Sequence, residues 1–238
     1  MRILFVLLLV LGFGCASSGE EPTPTAGPAV TPLPAPLGPA IGFLSLGDSY
    51  TIGQGAQEAD RWSVQLAELA QAQGLNLQPP TIIARTGWTT AELQNAIQEA
   101  NLPKDFGLVS LLIGVNNQYR GQPLATYRTE FRQLLQTAIH LAAGRPGRVL
   151  VLSIPDWGRT PYAQGRNQES IASEIDQFNA VAREESQVAG VAFVDITPAT
   201  RAAAGDATQF TADGLHYSGQ HMAQWAQLAL PVVQLLLK

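Results

Sequence analysis

The chain has 238 residues, of which 46 % are hydrophobic and 14 % are charged, as is ordinary for a compact globular protein. After the leader described next, about 200 residues remain, which suits one monomeric domain with a substantial core. The formal net charge is −5, and the 14 basic residues are scattered along the chain. Binding of nucleic acid is therefore not expected, because it requires clustered Lys and Arg.

Residues 1–15 have the pattern of an export signal. One Arg precedes an almost unbroken apolar run from Ile3 to Phe13, which is too short to span a bilayer but fits the core of a signal peptide. The segment 11–15 resembles a bacterial lipoprotein cleavage box, although Gly12 replaces the usual Leu and Phe13 a small residue. We therefore predict an exported protein of the cell envelope that a lipid on Cys15 anchors to a membrane. Ordinary cleavage of a secretory signal is the alternative.

Residues 16–39 have the composition of a linker. They are rich in Pro, Thr, Ala, Gly and Ser, and Glu20 and Glu21 are their only charged residues. Such a segment cannot bury enough apolar surface to offset the loss of chain entropy, and its prolines favour extended conformations. We predict a disordered tether between the membrane and a folded domain of residues 40–238. A disordered leader without a role fits the composition equally well.

The folded part alternates short apolar runs with longer amphipathic ones. Strands are predicted at Ile41–Leu46, Thr81–Ala84, Leu108–Ile113, Arg148–Ile154 and Val191–Asp195. Helices are predicted at Trp62–Gln73, Thr90–Ala100, Leu124–Ala143, Asn167–Gln187 and Gly219–Leu237. The helical segments carry apolar residues at steps of three and four, which indicates one buried face for each; aromatic members such as Phe131 and Phe178 are interpreted as core.

The order of these elements predicts an α/β fold. Strands that alternate with helices pair in parallel through right-handed crossovers, and the helices cover both faces of the sheet. The strands are continuous Val, Leu and Ile runs, as burial on two sides requires. Ligands of such sheets bind at the carboxyl ends of the strands. Ser49, Gly87 and Asn116 each follow a predicted strand, so we expect them at one edge of the sheet.

Three residues have the chemistry needed to activate a hydroxyl nucleophile. Ser49 is the candidate nucleophile, and a serine hydroxyl needs an adjacent base at neutral pH. His216 is the candidate base, because a neutral imidazole can take a proton and later return it. Asp213 lies three residues before His216 and can hold the other ring nitrogen. We expect the backbone N–H groups of Ser49 and Gly87 and the amide of Asn116 to stabilise a developing oxyanion.

Each of these motifs alone also has an ordinary structural explanation. Gly-Asp-Ser and Asp-Gly are common in turns, and a single histidine is often only a surface residue. Only their combination indicates a hydrolytic site. His140 and His221 are weaker candidates for the base, since His140 lies beside the apolar stripe of its helix and His221 within the first turn of another. No residue pattern indicates a metal or a cofactor.

The combined motifs resemble those of the SGNH (GDSL-type) hydrolases. The first block is Leu46-Gly47-Asp48-Ser49-Tyr50-Thr51, and Gly87, 114–116 and 213–216 match the blocks that follow. The resemblance implies a flavodoxin-like three-layer sandwich with a five-stranded parallel sheet. It also implies Ser49 as nucleophile, His216 as base, Asp213 as orienting acid, and Ser49, Gly87 and Asn116 as the oxyanion hole. Asn117 stands where the family usually has Asp, which we expect to affect only local packing.

The resemblance predicts ester hydrolysis but leaves the substrate open. Members cleave lipids, thioesters, small esters and O-acetylated carbohydrates, and the absence of a large apolar lid in the sequence favours short-chain or acetyl esters. Trp88, Trp157 and Tyr162 are candidate substrate contacts at the edge of the sheet, although the last two can equally pack their loop onto the domain. The alternative to an enzyme is a module on the same scaffold that binds a glycan or an acyl group without cleaving it.

Overall fold

The computed structural model describes residues 38–238, which form a five-stranded parallel sheet with helices on both faces. The order of the strands is β2-β1-β3-β4-β5. Their bounds are β1 Phe43–Gly47, β2 Thr81–Ala84, β3 Leu108–Leu112, β4 Val149–Leu152 and β5 Ala192–Val194. All five predicted strands are confirmed, and so is the α/β class.

Eight α-helices follow in the described part of the chain. They are α1 Ser49–Ile52, α2 Trp62–Ala72, α3 Thr90–Glu99, α4 Val115–Tyr119, α5 Leu124–Leu141, α6 Gln168–Ala189, α7 Thr197–Ala202 and α8 Gly219–Leu236. The five predicted helices are confirmed within two residues at each end. The short helices α1, α4 and α7 were not predicted.

The topology determines the face on which each helix lies. The connection from β1 to β2 runs toward one edge of the sheet, and the later connections run toward the other. Right-handed crossovers therefore put α2 on one face and α3, α5 and α6 on the opposite face. The packing agrees, because α2 contacts α8, whereas α5 contacts both α3 and α6. Every residue of β1, β3 and β4 is buried between these layers.

This strand order also fixes where a ligand can bind. The direction of chain progression reverses between β1 and β3, and a crevice opens at the carboxyl ends of the strands at such a switch point. Ser49 lies two residues after β1, and Asn116 lies four residues after β3. The two central strands therefore bring these residues to the same crevice.

The predictions for residues 1–37 lie outside the described residues. They concern the signal peptide, the lipid on Cys15 and all but the last two residues of the linker. Within residues 38–238, no helix combines the length and the apolar character needed to cross a membrane.

Candidate active site

A small cavity lies at the carboxyl ends of β1 and β3. Its volume is about 180 Å³, below the roughly 300–1,000 Å³ of sites for drug-sized ligands. It is lined by Ser49, Tyr50, Thr86, Gly87, Val115, Asn116, Tyr119, Trp157, Tyr162, Leu215 and His216. The fold therefore brings the predicted nucleophile, the predicted base and the two further oxyanion-hole residues to one cavity.

Ser49 begins helix α1, and only Asp48 separates it from the end of strand β1. Asp48 is the N-cap of this helix, and its Oδ1 accepts a hydrogen bond from the backbone N–H of Tyr50 at 3.0 Å. The ring of Tyr50 lies 5.4 Å from the ring of His216. This turn directs Ser49 toward the cavity, where its side chain is nearly buried.

Asp213 and His216 form a close pair at the other side of the cavity. The Nδ1 of His216 lies 2.6 Å from the Oδ2 of Asp213. The other carboxylate oxygen accepts from the backbone N–H groups of Leu215 at 2.9 Å and His216 at 3.0 Å, and from the hydroxyl of Thr211. Burial alone would raise the pKa of Asp213, but these hydrogen bonds outweigh it and hold the pKa well below its ordinary value. The carboxylate is therefore ionised at neutral pH.

Two side chains hold the loop of Gly87 in place: Asn116, which belongs to α4, and Arg120, which directly follows that helix. Gly87 has a φ of +86°, in the left-handed region that favours glycine. Its carbonyl oxygen accepts a hydrogen bond from the guanidinium of Arg120. The amide of Asn116 donates to the carbonyl oxygen of Trp88 at 2.9 Å. Because an amide has two N–H groups, this bond fixes the orientation of the second.

Asn117 is completely buried and ties α4 to the start of α3. Its Oδ1 accepts from the backbone N–H of Thr90 at 3.1 Å, and its Nδ2 donates to the Thr90 hydroxyl at 2.6 Å. The Thr90 hydroxyl donates in turn to the carboxylate of Glu130, which also lies 3.5 Å from Nδ2 of Asn117. The amide of Asn117 therefore supplies a donor that an ionised aspartate at this position could not supply.

We expect Asn117→Asp to lower the free energy of unfolding at pH 8 by about 1–2 kcal/mol, because two carboxylates would then face each other in a partly buried network. Urea unfolding of the single variant and of Asn117→Asp combined with Glu130→Gln measures the effect. The second substitution should restore most of the stability, since a glutamine can donate to Asp at position 117. Equal stability of the two variants would contradict this explanation.

Asp48 is a fully buried carboxyl group directly beside Ser49. Its Oδ2 has no hydrogen-bond partner among residues 38–238. Burial raises its pKa from 3.8 to about 7, although hydrogen bonds from the backbone oppose the shift. The folded protein therefore binds this proton more tightly than the unfolded chain does. The resulting loss of stability begins as the pH rises above about 4 and is complete above about 7.

Asp48→Asn should remove this pH dependence, because the amide keeps the acceptor for Tyr50 N–H and cannot ionise. We expect wild type to lose about 2–3 kcal/mol of stability relative to the variant between pH 5 and pH 8. Urea unfolding of both proteins at the two pH values measures the difference. A stability difference that does not change with pH would show that Asp48 titrates normally.

Comparison of the sequence with models of protein families identifies the family of this chain. The model of the GDSL-like lipase/acylhydrolase family matches residues 45–223, which include all the predicted catalytic positions. The chain belongs to this family. Membership makes the protein an ester-hydrolysing serine hydrolase.

Solved structures share the fold of this GDSL-like hydrolase over most of their length. A lipase/acylhydrolase from Enterococcus faecalis has a TM-score of 0.62 at 23 % identity, and the match covers 83 % of this chain and 97 % of the other. An acetylxylan esterase from Geobacillus stearothermophilus has a TM-score of 0.64 at 19 % identity, with coverage of 83 % and 95 %. The esterase EstA from Pseudoalteromonas sp. has a TM-score of 0.59 at 16 % identity, and the match covers 81 % of this chain and 96 % of the other. No curated protein sequence matches significantly.

The aromatic lining of the cavity differs from the one expected for this GDSL-like hydrolase. Trp157 and Tyr162 line the cavity, whereas Trp88 is not among its lining residues and packs against the hydrophobic core. Tyr119 provides the additional aromatic surface. It lies three residues after Asn116 on one helix, so the two share a face. The spacing is present in the sequence, but a helix of five residues is too short to show a repeating apolar pattern.

The remaining sequence candidates lie outside the cavity. His140 is exposed on α5. His221 is buried in α8, where Nδ1 lies 3.0 Å from Oε1 of Gln209. In the described part of the chain, no three His, Cys, Asp or Glu side chains are grouped as a metal ion would require.

Proposed function

We propose that the protein is a serine esterase that hydrolyses short-chain acyl or acetyl esters through Ser49, His216 and Asp213. One observation carries the proposal: Ser49 lines the same small cavity as His216, and Nδ1 of that imidazole is 2.6 Å from the ionised carboxylate of Asp213. This pairing leaves Nε2 as the ring nitrogen that can exchange a proton with a hydroxyl.

The reaction proceeds in two steps through an acyl-enzyme. The Oγ of Ser49 attacks the carbonyl carbon of the ester while its proton passes to Nε2 of His216. The tetrahedral intermediate then expels the alcohol, which takes that proton, and the acyl group remains on Ser49. Water attacks the acyl-enzyme with His216 again as base, and the acid is released. Asp213 stabilises the imidazolium that forms in each step.

The negative charge on the carbonyl oxygen requires donors that are already oriented. The backbone N–H groups of Ser49 and Gly87 and the second N–H of Asn116 form this set in our proposal. The hydrogen bond from Asn116 to Trp88 and that from Arg120 to Gly87 hold the loop and the amide before substrate binds. Donors held in this way need no reorganisation when the charge develops.

The size and lining of the cavity favour a small acyl group. A cavity of about 180 Å³ is below the range that holds drug-sized ligands. Val115, Leu215 and the aromatic side chains supply an apolar surface for the acyl part. Acetylated sugars are included among the candidate substrates, since a small acetyl group suits this volume whatever alcohol it is attached to; lipid esters are the alternative.

Covalent labelling tests the proposal directly. A fluorophosphonate reacts with an activated serine, so the purified protein should be labelled at Ser49, and the same preparation should release 4-nitrophenol from 4-nitrophenyl acetate. A screen of acyl lengths and acetylated sugars then identifies the preferred ester. If folded protein is neither labelled nor active, the non-catalytic binding module becomes the better interpretation.

We further propose that the enzyme is exported and anchored in the cell envelope through a lipid on Cys15. The signal-like residues 1–15 and the proline-rich residues 16–39 support this proposal. Cys15→Ser should move the enzyme from the membrane fraction to the soluble fraction of the producing bacterium, because a lipid can no longer be attached. An unchanged distribution between the fractions would contradict anchoring at Cys15.

A further inference from the structure

Two tyrosines bridge the cavity from its oxyanion side to its histidine side. The hydroxyl groups of Tyr119 and Tyr162 lie 3.0 Å apart, and both side chains line the cavity. Tyr119 belongs to α4, the helix of Asn116. The backbone N–H of Tyr162 donates to the carbonyl oxygen of Gly214 at 2.9 Å, in the loop that carries His216. The hydroxyl contact therefore joins two elements on opposite sides of the site.

Trp157 and Arg166 hold this tyrosine pair in place. The ring of Trp157 lies 5.2 Å from that of Tyr119 and 6.3 Å from that of Tyr162, and its indole N–H donates to Oε1 of Gln118 at 2.7 Å. The guanidinium of Arg166 lies 5.0–5.8 Å from the centres of all three rings and donates to the Tyr162 hydroxyl at 3.3 Å. Aromatic contacts and cation–π contacts of this kind restrict ring motion.

The two tyrosines line the cavity and are also exposed to solvent. Trp157 is 5 % exposed, whereas Tyr119 is 48 % and Tyr162 is 40 % exposed. Each tyrosine therefore has one side toward the cavity and one side toward water. A chain that outgrows the cavity in this direction must break the hydroxyl contact and displace at least one ring.

We infer that the contact between Tyr119 and Tyr162 limits the length of the acyl group, so that the enzyme prefers acetyl to butanoyl esters and discriminates against longer ones. This inference rests on the proposed esterase function and deepens it by naming the acyl class and the residues that select it. Removing either ring opens the same wall, since the contact needs both members.

A purely structural role of the two tyrosines would change the turnover of long and short esters in a different way. If the two tyrosines only held the segment 157–163 against α4, their loss would lower the turnover of all esters by a similar factor. A limit on acyl length instead changes the ratio between long and short substrates. The decisive quantity is therefore the ratio of kcat/KM for 4-nitrophenyl octanoate to that for 4-nitrophenyl acetate.

The experiment compares this ratio in wild type, Tyr119→Ala, Tyr162→Ala and the double variant. We expect each single substitution to raise the ratio at least about tenfold, because extra methylene groups gain space in an apolar site. The ratio for the double variant should be well below the value expected if the effects of the two single substitutions multiplied. The reason is that either substitution alone already breaks the contact. Tyr162→Phe keeps the ring and should raise the ratio less than Tyr162→Ala. Gln164→Ala changes the residue that follows this segment, outside the cavity, and should leave the ratio unchanged.

The possible failures are distinguishable. If wild type cleaves 4-nitrophenyl acetate in a Ser49-dependent manner but both alanine variants keep its ratio, the acyl-length inference is wrong and the proposed function stands. Equal turnover of octanoate and acetate by wild type also overturns the inference alone. If folded wild type cleaves neither ester and fluorophosphonate does not label Ser49, both proposals fail. Labelling rates and thermal unfolding of each variant separate misfolding from a change in selectivity.

Discussion

Ser49→Ala is expected to lower kcat for 4-nitrophenyl acetate by at least about 10⁴-fold, because the variant has no hydroxyl to form the acyl-enzyme. The cavity, the oxyanion donors and His216 remain, so the residual rate comes from binding and from electrostatic stabilisation alone. Steady-state release of 4-nitrophenol measures the loss. Fluorophosphonate labelling should disappear together with the activity.

A serine distant from the cavity provides the matched control. Ser170 is exposed in the first turn of α6, and its hydroxyl donates to Glu174 on the same helix. Ser170→Ala should retain the activity and the labelling of wild type. If Ser49→Ala keeps more than about a hundredth of the wild-type rate, Ser49 is not the nucleophile, because a missing nucleophile costs far more.

The sequence predicted the sheet well because strands buried on both faces leave a simple signal. The strands β1, β3 and β4 are buried along their whole length, and each is apolar apart from Ser45 in β1 and Ser110 in β3. The first predicted strand nevertheless began too early. Ile41 makes only an isolated bridge with Leu77, and β1 begins at Phe43. An apolar residue does not by itself reveal whether a neighbouring strand extends far enough to pair with it.

The short helices could not be predicted from the sequence, because they contain no repeating pattern of apolar residues. A helix of five residues such as α4 completes little more than one turn, so no apolar stripe can repeat within it. Gly114, the N-cap of this helix, has a φ of +129°, and a Cβ at that position would lie 2.7 Å from the hydroxyl of Tyr127. The constraint comes from Tyr127 in α5, so the residues next to Gly114 in the sequence do not indicate it.

In the candidate site, too, some contacts join residues that are close in the sequence, and others join residues that only the tertiary structure brings together. Asp213 and His216 are three residues apart, so their pairing could be predicted from spacing alone. The wall made by Tyr119 and Tyr162 joins residues 43 positions apart, and nothing in either local sequence indicates the contact. The partly buried network in which Asn117 donates depends likewise on Glu130 of another helix. Catalytic motifs are therefore easier to predict than the surroundings that select a substrate.

Asp213→Asn should lower kcat by about 10³–10⁴-fold while leaving the fold intact. The amide oxygen of the variant can still accept from the N–H groups of Leu215 and His216, which at present donate to Oδ1. The amide NH₂ would replace Oδ2 beside Nδ1 of His216. It would donate to that nitrogen and so place the ring proton on Nε2, where His216 could no longer accept a proton from Ser49.

Asp206→Asn is the matched control for this substitution. Asp206 also closes an exposed turn, because its Oδ1 accepts from the backbone N–H and the hydroxyl of Thr208, but it does not line the cavity. We expect this variant to keep wild-type kcat/KM, with thermal unfolding confirming that both asparagine variants are folded. A folded Asp213→Asn enzyme with undiminished kcat would mean that His216 does not need an ionised partner. The pair would then contribute to the structure of the loop and not to proton transfer.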